Sequence, residues 1–247
     1  MVAPDGGAIL CMRGEGGKPK TLKDGSTGWI HRLGGKPVRL PQKPPRTKPR
    51  FNAAILRGWM DITTPKMTRE YAESLGVSQP SVVLLGACYT GNDTWAWPMR
   101  DSSGKIIGVR LRSNNGRKWA VAGSSNGLFM TQRCPSKVYV CEGPTDTAAA
   151  ISIGLFAVGR PSCSGGGPAI VELVKKRGVK EVVIIADTDR KKRPDGSPWN
   201  PGLEGAQALK ERLPVKSSII TLPCKDLREF VRNGGAASDL IRIERNG

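Results

Sequence analysis

Acidic residues are scarce in this sequence: 21 Asp+Glu stand against 39 Lys+Arg, leaving a formal charge of +18 and a pI near 10.1. An imbalance of that size points to polyanionic partners, nucleic acid first among them, rather than to an incidental basic surface. Long apolar runs are also missing. None reaches the roughly 18 residues a membrane-spanning helix needs, so no membrane association is expected. The opening stretch MVAPDGGAILCMRGEGG has no charged start followed by an apolar segment, so no secretory signal is expected. The six cysteines (11, 88, 134, 141, 163 and 224) form no C-x-x-C pair and no framework spacing. That usage suits a reduced, cytoplasmic protein with mostly structural thiols. The modest 38% hydrophobic fraction is still enough, over 247 residues, to bury a real core.

What is present falls into three textures. Residues 1–50 carry eleven Lys/Arg against three Asp/Glu and are rich in glycine and proline. Within them PQKPPRTKPRF (41–51) reads as an extended basic linker, because proline resists both helix and ladder. The piece before it, GSTGWIHRLGGKPVRL, has strand-like fragments with little to bury, so 1–50 is either a small basic arm or plain disorder. Residues 52–135 begin with two short helices in TPKMTREYAESLGVSQPSVVLLG: Thr64 or Thr68 can cap the first, Gly76 closes it, and Ser78 opens the second. An antiparallel meander follows in TWAWPMRD, KIIGVRLRS and RKWAVAG, separated by turn material, which sets Arg100, Arg110, Arg112, Arg117 and Lys118 beside tryptophans. Trp95, Trp97 and Trp119 suit base stacking or cross-strand packing, with packing favoured.

From about 136 to 247 strand and helix alternate: KVYVCEG, PTDTAAAISIG, LFAVGR, PAIVELVKKRG, EVVIIADTD, GLEGAQALKERL, SSIITLP and finally DLREFVRNGG. That rhythm predicts an α/β domain with about four parallel strands flanked by helices, preceded by a small α+β basic subdomain. In such sheets the site lies at the carboxyl ends of the strands. Two strands end there in acid, one in Glu142 and one in Asp187 and Asp189, which as strand residues two apart project together. Clustered carboxylates with no histidine or cysteine among them suit Mg²⁺ or Mn²⁺, ions that take phosphate oxygens as further ligands. Taken alone the D-x-D pair is a weak signal, and a helix-capping Asp beside a solvated acid accounts for it better. The glycines of RPSCSGGGPAIVEL could bring backbone N–H groups toward phosphate or simply make a tight turn, and no G-K-[ST] loop is present. The basic insertion RKKRPDGSPWNPG (190–202) directly after the acidic pair suggests a modest template or primer contact.

CEGPTD after one strand, IIADTD after a later one and then GLEGAQAL together resemble the TOPRIM domain. LPCKDLREFVRNGG, which contains Lys225, resembles the K-D-hydrophobic segment near the end of primase TOPRIM domains. The likeness implies that Glu142, Asp187 and Asp189 are metal ligands and that Asp146 is the acid following in the same turn. TOPRIM is shared by topoisomerases, primases, nucleases and recombination mediators. The run WAWPMRDSSGKIIGVRLRSNNGRKWAVAGSSNGLF is similar to the basic subdomain that precedes TOPRIM in bacterial and phage primases, closest to the compact T7-like and Twinkle-like layout. Arg100, Asp101, Gly108, Arg112, Lys118 and Leu128-Phe129 fall onto that pattern, over about residues 60–232. The resemblance implies a DNA primase that joins nucleoside triphosphates on a single-stranded DNA template with Mg²⁺ or Mn²⁺. Arg100, Arg110, Arg112, Lys118 and Lys225 would hold nucleotide or DNA, Lys118 and Arg112 foremost for phosphate. A replicative helicase or polymerase would be a separate chain. The competing readings are a TOPRIM nuclease and a non-catalytic single-strand-binding accessory protein. One departure stands out: such primases carry an N-terminal zinc ribbon, whereas this region offers only Cys11 and His31 of four required ligands, with GWIHRLGG as a possible remnant.

Overall fold

The computed structural model describes residues 7–13, 16–22, 25–32, 51–188 and 191–246. The chain divides into two compact units, with the boundary between Lys48 and Pro49. The first is a three-stranded antiparallel sheet of β1 (Ala8–Cys11), β2 (Lys18–Thr21) and β3 (Thr27–Arg32), with β3 in the middle. Here Cys11 lies opposite Trp29 and His31 opposite Ile9. Among the described residues, no group of three His, Cys, Asp or Glu side chains is arranged to hold a metal ion.

The second unit opens with α1 (Ile55–Ile62), α2 (Pro65–Leu75) and α3 (Gln79–Leu84). Thr64 caps α2 by accepting from the Met67 N–H at 3.2 Å, and Gly76 ends it in the left-handed region at φ 71°. Ser78 caps α3 by accepting from Ser81 N–H. Each cap satisfies an amide donor that the first helical turn would otherwise leave without a partner. A four-stranded antiparallel meander follows in sequence order: β4 (Cys88–Gly91), β5 (Thr94–Arg100), β6 (Ile106–Ser113) and β7 (Lys118–Ala120). Its core face buries Trp95 and Trp97 at 4% and 0% exposure, with Tyr71 of α2 stacked on Trp95 at 4.0 Å between ring centroids. These two rings are core, not a base-stacking platform. Trp119 is half-buried and carries the Arg117 guanidinium over its face at 5.4 Å.

The remaining elements are β8 (Phe129–Met130), β9 (Lys137–Glu142), α4 (Gly143–Ser152), β10 (Ala157–Arg160), α5 (Gly167–Arg177) and β11 (Glu181–Ala186). A small hairpin of β12 (Lys191–Lys192) and β13 (Pro198–Trp199) comes next, then α6 (Pro201–Lys210), β14 (Lys216–Thr221), α7 (Leu227–Arg232) and α8 (Ala237–Asn246). The sheet order is β14-β11-β9-β10-β8. The four expected strands are parallel, and the short β8 adds a fifth, antiparallel to β10 at the edge.

Both faces of this sheet are buried, which is why its strands read as near-continuous apolar runs. Val138, Val140, Val182 and Ile184 pack with Ile170, Leu173, Ala206 and Leu209 of α5 and α6. Their neighbours Tyr139, Cys141, Val183 and Ile185 pack with Ala149, Ala150, Leu227, Phe230 and Leu240 of α4, α7 and α8. The result is a three-layer α/β/α arrangement set by the period-2 alternation of side chains.

The strand expected to carry the acidic pair stops at Ala186, one residue before Asp187. Past that point the backbone leaves the ladder, and the Thr188 N–H donates to the Lys225 carbonyl at 2.8 Å. Strand alternation therefore does not orient Asp187, and Asp189 lies outside the described residues. No described helix is long and apolar enough to cross a membrane.

Trp97→Ala removes a fully buried ring from the meander core and is expected to cost about 3–5 kcal/mol. Urea unfolding of the two proteins measures this, and a loss below about 1 kcal/mol would place the ring outside the cooperative core.

Candidate nucleotide-binding and metal site

The carboxyl ends of the parallel strands open into a cavity of about 380 Å³. From the meander come Arg110, Arg112 and Lys118; from the end of β9 and the first turn of α4 come Glu142 and Asp146; beyond β11 comes Asp187; and before α7 comes Lys225. The cavity thus gathers seven of the sequence-expected residues on one wall or another. On β6, Arg110 and Arg112 are two apart and share a face, and Lys118 sits directly opposite Arg112 on β7. Arg112 Nη1 donates to Thr145 Oγ1 at 3.5 Å, a long contact that links the meander to the first turn of α4.

Local chain geometry fixes the acids. Glu142 occupies the N-cap position of α4 but makes no side-chain cap bond, and Gly143 turns the chain at φ 76°. Gly202 of α6 lies against the Asp187 backbone: a Cβ there would come within 2.4 Å of its carbonyl oxygen. Only glycine allows that approach, which accounts for the glycine in GLEGAQAL. The segment before α7 is held by Asp226, which accepts from Glu229 N–H at 2.8 Å, while the Lys225 N–H donates to Glu229 Oε2 at 3.0 Å.

Asp146 is buried, and its Oδ1 accepts the Arg228 N–H at 3.0 Å, joining α4 to the start of α7. Burial, reinforced by the nearby Asp226 carboxylate, raises its pKa to about 7 against the pull of the Arg228 hydrogen bond and of Arg228 and Lys118. At neutral pH this carboxyl is partly protonated, and its bond to the Arg228 N–H ties α4 to the start of α7.

Arg100 is not in the cavity. A bulge between Met99 and Arg100 breaks the strand alternation, and its backbone pairs both ways with Leu128 at 2.8 Å. Its guanidinium donates to the Gly104 carbonyl at 3.1 Å, and burial lowers its pKa. Three charged residues were missed in the sequence. Asp226 and Arg228 line the same cavity. Arg160, only 3% exposed, ends β10 in register with Glu142 and interacts electrostatically with Glu142 and Asp187. The signal for Arg160 was available: LFAVGR is a third strand ending in charge at the same sheet edge.

Among the described residues no three-membered metal cluster is formed. The donors at the strand ends, Glu142 and Asp187, are carboxylate oxygens without a histidine beside them. That set fits a hard divalent cation which leaves coordination positions for phosphate oxygens and water.

No family model matches the chain, and no curated protein does. Solved structures do. The primase fragment of the bacteriophage T7 primase-helicase protein superposes with a TM-score of 0.57 at 17% identity, covering 83% of each chain. The E. coli primase catalytic core gives 0.56 at 17% identity, over 78% of this chain and 79% of that one. A DnaG primase catalytic domain bound to single-stranded DNA gives 0.57 at 16% identity, over 78% and 80%. The chain has the fold of these primase catalytic cores.

The raised pKa of Asp146 makes stability pH-dependent. A carboxyl whose folded pKa lies above its unfolded value binds more protons when folded, so stability falls as pH rises from about 4 to about 7. Metal-free urea unfolding across that range is expected to show this fall, and Asp146→Asn to flatten it; parallel profiles for the two proteins would contradict the assignment.

Proposed function

We propose that this chain is the catalytic core of a DNA primase, which joins nucleoside triphosphates into short primers on single-stranded DNA. The observation that carries the reading is the meeting of Arg110, Arg112 and Lys118 with Glu142 and Asp187 in one cavity at the sheet's carboxyl edge. A cationic wall facing strand-end carboxylates is the arrangement phosphoryl transfer requires, since the reaction is chiefly positioning and charge stabilisation. The fold shared with primase cores, one of them bound to single-stranded DNA, supports the same reading.

In the reaction a 3′-hydroxyl attacks an α-phosphorus, the bond to the bridging oxygen breaks, pyrophosphate leaves and the hydroxyl proton passes to solvent. Glu142 and Asp187, with Asp189 as third ligand, are assigned to hold Mg²⁺ or Mn²⁺. Such an ion, when bound, would supply positive charge to offset that developing on the phosphate oxygens. Arg112 and Lys118, paired across β6 and β7, are assigned to the triphosphate, and Arg110 beside them to template phosphate. Lys225 and Arg228 extend the cationic rim, while Asp146 positions them through its bond to the Arg228 N–H. Arg100 is assigned to the sheet and not to nucleotide. A replicative helicase or polymerase partner belongs to the same reading.

The test is incubation with single-stranded DNA, labelled NTPs or dNTPs and Mg²⁺ or Mn²⁺. Short de novo products are expected, reduced at least about 100-fold by Asp187→Asn. Lys118→Ala is expected to raise the KM for nucleotide about tenfold, as loss of one charge-assisted phosphate contact does. Shortened DNA would instead identify a nuclease, and DNA binding without either product an accessory protein.

A further inference from the structure

Glu142 also borders a second cavity, of about 510 Å³, on the α5–α6 side of the sheet. Residues of RPSCSGGGPAIVEL and of the 190–202 insertion line it, and the proposed step leaves it unused. Arg160 and Arg212 line it, as do Ser164 and Gly167 at the start of α5 and Lys191 and Trp199 of the β12–β13 hairpin. Its volume is that of a small-ligand site.

Arg160 is the most informative member. It is almost fully buried, and Nη1 donates to the Cys163 carbonyl at 2.8 Å and to the Gly205 carbonyl at 3.0 Å. Its buried Nε has no hydrogen-bond partner among the described residues. A guanidinium keeps its charge in any protein environment, and a donor left unsatisfied in the interior is costly. Arg160 also lines the cavity, so an anion seated there meets its charge.

The surroundings agree. Helix α5 begins after Gly166 at φ 80°, with no side chain capping its N-terminus. The Arg212 guanidinium stands over that end: Nη1 is 3.6 Å from where a Gly167 Cβ would be. Arg212 makes no ion pair among the described residues and is exposed. A helix N-terminus overlaid by a free cation, with a buried arginine beside it, favours phosphate. On the rim, Trp199 donates its indole N–H to Glu204 Oε2 at 3.0 Å, and Glu204 is paired with Arg193. That fixes an aromatic face at the mouth and neutralises one of the two carboxylates that line the cavity, the other, Glu142, lying in register with Arg160.

We infer that this cavity is a second nucleotide subsite, taking a nucleoside 5′-triphosphate with its phosphates toward Arg160, Arg212 and the start of α5 and its base toward Trp199. Its use as the second substrate of the pair rests on the primase reading, because the two cavities meet at Glu142; the binding itself does not.

Equilibrium dialysis of the full chain with ATP and Mg²⁺, without DNA, tests this. The wild type is expected to bind two molecules of ATP. Arg212→Ala and Trp199→Leu, both at exposed positions, are expected to weaken one of the two at least about tenfold, with unchanged far-UV circular dichroism, while Lys118→Ala weakens the other. Affinity for an oligo(dT) strand should not change in Arg212→Ala. Wild-type ATP binding by Arg212→Ala would overturn the subsite, as would loss of oligo(dT) binding with ATP binding intact, which would assign the cavity to a strand. If the Arg212→Ala site is lost as expected but the wild type makes no primers, the subsite stands and the primase reading falls.

Discussion

The structure is organised around the carboxyl edge of one parallel sheet, where three apolar strands end in charge. β9 ends in Glu142, its neighbour β10 ends in Arg160 in register with it, and Asp187 follows the last residue of β11 on the other side. Carboxylates brought together at a low-dielectric edge repel, and they are tolerated only with positive charge among them. The fold supplies that charge from two directions. Arg160 comes from within the sheet, and Arg110, Arg112 and Lys118 come from the meander.

The meander can do this because one face packs Ala96, Val109 and Leu111 with Leu56 of α1, leaving the other to meet the parallel-sheet layer. Trp95, Trp97 and Met99 bury themselves with Tyr71 of α2 and with Phe129 and Ala148 from the neighbouring layer. Arg112 and Arg110 lie directly opposite Trp95 and Trp97 on β5 and so share that face, beside the packed rings and toward the acids. Close approaches keep the arrangement tight. Gly159 of β10 leaves room for the first turn of α4, where a Cβ would stand 2.1 Å from Thr147 Oγ1, and Gly202 does the same for Asp187. Charge and packing thus constrain the same few ångströms of backbone.

Much of this was legible in the sequence, and the limits have physical causes. The α/β rhythm could be read because each strand is an apolar run bounded by glycine or charge, and Thr64, Gly76 and Ser78 announced helix ends through local chemistry. Glu142, Asp146 and Asp187 were marked by strand ends and by resemblance. What escaped depends on contacts between distant segments. β8 is two residues long and exists only through pairing with β10. Arg100 matched a family pattern, but a bulge and its pairing with Leu128 take it out of the cavity. Asp226 and Arg228 enter the cavity because Asp146, far away in sequence, accepts the Arg228 N–H. α1 and the terminal α8 carry no motif, and packing of Leu56 and Leu240 marks their inner faces. Cys11 and His31 sit on a small sheet in the other unit, where no described trio of ligands gathers.

The central claim is that triphosphate and divalent cation meet at this charged edge. Crystals grown with Mn²⁺ and a non-hydrolysable nucleoside triphosphate, read by manganese anomalous scattering, test it most directly. The account predicts manganese liganded by Glu142 and Asp187 with phosphate oxygens against Arg112 or Lys118. Manganese bound elsewhere, or a triphosphate that leaves those carboxylates uncoordinated, would contradict it.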